Sequence, residues 1–148
     1  MVELGITIGC IAVLVMIVMT ARGFINDAKG RSTIQRVRTL QEASYAWSER
    51  VRGGLGFAGG GIGQSISVAA IASEGLIPAA MTTGWGDPMA ISSQGGSSSV
   101  PSYTYVIRFC VPTTPIATDM ARMMADMGTV ARSGGCGCNG CGILLTGK

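Results

Sequence analysis

LGITIGCIAVLVMIVMTA, Leu4 to Ala21, is a run of eighteen residues without one charged side chain. Wound as an α-helix it spans roughly 27 Å, close to the hydrocarbon thickness of a bilayer. A helix in the core of a small soluble domain keeps a polar face, and this run has none over five turns. A cleaved secretory signal needs basic residues before the apolar run and a small-residue cleavage site after it. Here the only charge before the run is Glu3, and Arg22 follows it. The segment is therefore read as part of the mature chain.

The apolar run leads into an amphipathic one. Ile34, Val37, Leu40, Ala43, Trp47 and Val51 recur at steps of three and four, with Arg36, Arg38, Gln41, Glu42 and Glu49 between them. That period is helical, and no proline interrupts residues 1–77. One helix of about 50 residues is expected, roughly 75 Å long. Residues 1–52 form this N-terminal unit, with an apolar half over 4–21 and an amphipathic half over 24–52. Residues 22–52 also carry seven basic side chains against three acidic ones. The positive-inside rule alone holds that side of the span in the cytoplasm.

Residues 53–148 read as a small α+β region. GGLGFAGGGIG, residues 53–63, is a loop. Ser65 to Ser73 is a short helix closed by Gly75 and Pro78. Trp85 to Pro88 is a turn, Met89–Ser92 a short strand, and residues 94–99 a flexible connection. Tyr103, Tyr105, Ile107 and Phe109 alternate with Thr104, Val106, Arg108 and Cys110, which is the strand period. Thr114 is expected to cap a helix with Pro115 at its first position, running to about Met127, and Ile143–Thr146 is a final strand. The overall class is α+β: a long N-terminal helix on a small antiparallel sheet.

Composition narrows the function. Histidine is absent among the 148 residues, which excludes Ser-His-Asp and Cys-His catalysis and any histidine metal site. Glu74, Asp87, Asp119 and Asp126 are scattered singly, so no acid/base pair is evident. GlyGlyGlyIleGly (59–63) follows no strand and precedes no Lys-Ser/Thr, so it is not a phosphate loop. The row Met120, Met123, Met124 and Met127 reads as helix core. A net charge of +3 is too small to suggest nucleic acid. No enzymatic activity and no cofactor are expected.

Of five cysteines, Cys10 lies in the apolar run and behaves as a small hydrophobe. Cys110, Cys136, Cys138 and Cys141 form either a four-thiolate metal or redox site or two disulfides. A lone C-x-C-x2-C is a weak zinc pattern, and a glycine-rich, aromatic-poor region is the kind that disulfides staple in an oxidising compartment. Disulfides are therefore expected. Pairing Cys110 with Cys141 forces a Cys136–Cys138 bond of poor geometry. Cys110–Cys136 with Cys138–Cys141, and Cys110–Cys138 with Cys136–Cys141, remain open. This reading places residues 53–148 outside the cytoplasm, against the charge rule.

Taken together, these features resemble a type IV pilin. The beginning MetValGluLeuGlyIle is similar to the type IVb branch, as in toxin-coregulated and thin conjugative pili. Residues 73–81 (SEGLIPAAM) followed by TrpGlyAspPro (85–88) resemble the segment those pilins carry before the sheet. The resemblance implies a major pilin, the repeating subunit of an extracellular filament, held in the inner membrane before assembly. It implies prepilin-peptidase processing with N-methylation at Met1, the expected mature first residue. It implies an assembly role for Glu3, and as partners identical subunits and the pilus assembly machinery. A minor pilin or a type II secretion pseudopilin has the same architecture. A membrane-anchored Cys-cluster metal or redox protein is the rival of a different class. Adhesion, conjugation, aggregation and DNA uptake are all compatible with one shaft.

Overall fold

A computed structural model describes residues 2–61, 63–97, 99–133 and 141–147, with only the backbone described for residues 2–6, 133 and 141. A single helix, α1 (Val2–Arg52), is followed by a short helix, α2 (Val68–Ser73), and by strands β1 (Ala90–Gln94) and β2 (Thr104–Val111). Helix α3 (Thr114–Met123) then precedes strands β3 (Thr129–Ser133) and β4 (Cys141–Gly147). The four strands form one antiparallel sheet in the order β1-β2-β4-β3. The fold is thus the expected pilin-like α+β arrangement of a long helix on a small antiparallel sheet.

The helix changes character along its length. From residue 7 to residue 28 every side chain is exposed; burial begins at Lys29 and Gly30. Beyond that point Ile34, Val37, Leu40, Ala43 and Trp47 form the buried stripe that the helical period announces. They share a core with Tyr105, Ile107, Phe109 and Val111 of β2, Ile143 and Leu145 of β4, and Ala117, Met120 and Met124 around α3. Along β2 Tyr105, Ile107 and Phe109 turn inward and Arg108 is exposed, but the expected alternation is incomplete: Val106 is buried as well, and Tyr103, expected on the inner face, precedes the strand and is exposed. At the sheet's end Tyr105, Phe57 and Tyr45 meet edge to face, with ring centroids 4.8–5.9 Å apart. Burial, reinforced by its contact with the Tyr45 hydroxyl at 3.5 Å, raises the Tyr105 phenol well above its ordinary pKa.

Several local expectations shift. The short helix starts at Val68, not Ser65, because Ile66 instead donates its N–H to the Phe57 carbonyl and Ser67 takes the cap, accepting from the Ala70 N–H at 3.0 Å. The first strand starts at Ala90 and continues to Gln94, into the stretch read as connection, because its register with β2 runs from Ala90↔Arg108 to Gln94↔Thr104. Thr113, not Thr114, is the extended residue before α3, which ends at Met123 in a turn that leads to Gly128. Strand β3 was not expected at all. Its sequence, TVARS, is short and mixed, and its pairing with β4 decides its state.

Candidate membrane and assembly surface

The exposed half of α1 is the unusual feature. Nine large apolar side chains from Ile8 to Met19 are 48–71% exposed. The most apolar eighteen-residue stretch has a mean hydropathy of 2.3, and none of it is buried against the chain's own fold. This helix is long and apolar enough to cross a membrane. The apolar surface does not stop at Arg22, because Phe24 and Ile25 are 72% and 53% exposed. In water such a surface is strongly unfavourable, so it needs lipid or protein around it.

The other half of α1 is locked to the domain by polar contacts at four levels. Near its exit from the core, the Thr33 hydroxyl donates to the Lys29 carbonyl and accepts from the Gly84 N–H, both at 2.8 Å. Only glycine fits there: a Cβ on residue 84 would stand 2.5 Å from the Lys29 carbonyl oxygen. One turn on, Arg36 donates to the Thr82 and Thr83 carbonyls at 2.6 and 3.2 Å. Higher up, Arg38 pairs with Asp126 at 3.4 Å, and the Gln41 amide donates to the Met127 carbonyl at 3.2 Å. At the far end Arg52, 2% exposed, holds the glycine-rich loop. Its guanidinium donates to the carbonyls of Gln64 at 2.6 Å, Gly59 at 2.6 Å and Leu55 at 3.3 Å.

The expected site residues fall as follows. Met1 lies outside the described residues. Glu3 is on the first turns of α1, in a part where only the backbone is described. Cys10 is free and exposed on the apolar surface. Cys110 is on β2 and disulfide-bonded, so it is not a thiolate ligand. Cys136 and Cys138 lie outside the described residues, and Cys141 opens β4 opposite Val111, its side chain not described. The register therefore brings the chain around Cys141 beside Cys110, while Glu3 lies at the start of α1, ahead of the part that packs on the domain. Sequence reading missed Arg52, which looks like an ordinary basic residue in a last helical turn. Its one signal is position: it ends the buried stripe immediately before a run of glycines whose backbone carbonyls carry no side chains to shield them.

Set against protein-family models, curated proteins and solved structures, this chain matches none. The functional reading accordingly rests on the architecture and on the exposed half of α1.

Proposed function

We propose that this chain is the major pilin of a type IVb-like extracellular filament, polymerising through the apolar half of α1. The supporting observation is the division of one continuous helix into a packed half and a bare half, with the change near residue 29. Each large apolar side chain is stabilised by roughly 1.5–3 kcal/mol when shielded from water. A subunit leaving the bilayer therefore needs neighbouring helices to replace lipid around Ile8–Met19, and extraction is coupled to polymerisation. Residues 53–148 then stand outside the cytoplasm, where a disulfide at Cys110 persists. Before assembly the subunit is anchored in the inner membrane, processed and methylated at Met1, and handed to the assembly machinery.

The same bare helix also suits a protein that stays in the membrane, as a minor pilin or a pseudopilin would for most of its life. Shearing cells, imaging the released material by negative stain and identifying its subunit by mass distinguishes these. Filaments built of this chain are expected. Recovery of the chain only in the membrane fraction, with no filament containing it, rejects the major-pilin reading.

A further inference from the structure

We infer that the membrane-facing base of the folded domain sits directly on the lipid headgroups and selects anionic phospholipid there through Arg22 and Lys29. The inference rests on the reading of α1 as a membrane span. The lipid-suited surface of α1 ends with the exposed Phe24 and Ile25, and packing begins at Gly30. Ile25 and Gly30 are five positions apart, about 7.5 Å of helix. A headgroup layer is about 5–8 Å thick on each side of the hydrocarbon. The chain leaves no stalk between bilayer and domain.

Asp27 and Asp119 lie at this level too, each beside an arginine, and the charges that α1 leaves unpaired there are cationic. Arg22 and Lys29 are seven residues apart and share a helix face. Among the described residues neither forms an ion pair, whereas Arg31 is paired with Asp27 at 3.1 Å and Arg122 approaches Asp119 at 3.9 Å. Arg22, flanked by apolar residues on both sides, extends its head toward the phosphates while its stem lies along the hydrocarbon. Lys29 reaches the same phosphates from the domain side. Trp85 marks the level, since its ring lies 4.0 Å from where a Cβ on Gly30 would stand.

The test uses the full chain in vesicles of phosphatidylcholine alone or mixed with phosphatidylglycerol. Spin-labelled lipids report which species the protein retains at its boundary. Preference for phosphatidylglycerol is expected at about fivefold for each unpaired surface cation. It should vanish in the Arg22→Gln/Lys29→Gln variant and persist in Arg108→Gln/Arg132→Gln, which removes equal charge from the exposed sheet side. Lipid brominated near the headgroup should quench Trp85 and not the buried Trp47, about 25 Å further along α1; the Trp85→Phe variant should lose the quenching. Equal retention of both lipids, or a preference surviving Arg22→Gln/Lys29→Gln, overturns lipid selection, and an unquenched Trp85 overturns the seated domain. A chain that does not float with vesicles at all removes the membrane reading and this inference together.

Discussion

Replacing Arg52 by methionine keeps the aliphatic stem and removes the charged head, which makes it the sharpest probe of how the glycine-rich loop is held. Three carbonyl oxygens, on Leu55, Gly59 and Gln64, lose their donor at once. A hydrogen bond to a charged group contributes about 1.5–3 kcal/mol net, and a buried carbonyl left without a donor costs about 1–3 kcal/mol. Leu55 and Gln64 are exposed residues, so their carbonyls regain water after a small loop movement, and only Gly59 is half-buried. The loss should therefore fall near the low end, about 2–4 kcal/mol, well below the sum of three full penalties. For a domain of this size that is a fall of roughly 8–16 °C in Tm. Arg52→Lys should recover part of it, because an ammonium cannot span three carbonyls as a planar fork does. Thermal unfolding in detergent measures the first quantity. Limited proteolysis reports the loop itself, with new cleavage expected between residues 53 and 64. Unfolding of Arg52→Met within about 0.5 kcal/mol of wild type, the range of an ordinary surface change, would refute the buried clamp.

Other outcomes follow from the same geometry. Glu3→Ala should leave the subunit in the membrane and sharply reduce filaments, because an unpaired carboxylate among packed apolar helices is costly and favours the register that supplies a cation; normal filament yield in sheared fractions rejects it. Cys110→Ser removes a disulfide that closes a loop of about 25–30 residues with any of the three late cysteines, worth about 3–4 kcal/mol in the chain-entropy model. It should give inserted but protease-sensitive subunit, whereas Cys10→Ser, a change at a free and exposed thiol, should be tolerated; the reverse ranking refutes the staple. Gly84→Ala places a methyl against the Lys29 carbonyl, and should cost about 1–3 kcal/mol by forcing the 82–88 loop off α1. Unchanged stability of that variant would show that the loop has room to retreat.

The sequence makes the helix and its change of character legible because both are periodic signals. Ile34, Val37, Leu40, Ala43 and Trp47 are spaced for one face, and they are the residues that the sheet buries. Strand β2 is legible for the same reason, with Tyr105, Ile107 and Phe109 all turned inward. Strand β3 is not, because TVARS has no apolar alternation of its own and takes its conformation from pairing with β4. The polar fastenings of α1 are equally hidden. Thr33, Arg36 and Arg52 all meet backbone carbonyls or amides of distant loops, and a backbone group leaves no mark in the residue letters. The cysteines show the opposite pattern: their types suggest a bond, yet spacing alone leaves the partner of Cys110 open.

These fastenings also bear on the conflict between the basic residues and the cysteines. The charge rule counts Lys and Arg near the end of a span and assumes that they serve orientation. Four of the seven basic side chains after Ala21 have another use. Arg36 and Arg52 hold loop carbonyls, Arg38 pairs with Asp126, and Arg50 donates to the Glu74 carbonyl at 3.3 Å. A charge required by packing is present whichever side of the membrane the domain occupies, so it carries little information about sidedness. What remains near the span is Arg22, Lys29 and Arg31, and Arg31 is offset by Asp27. A disulfide, by contrast, depends directly on the compartment, because reducing conditions keep thiols apart. The proposal of an extracytoplasmic domain follows the bonded Cys110 for that reason, and leaves Arg22 and Lys29 to act on the lipid at its base.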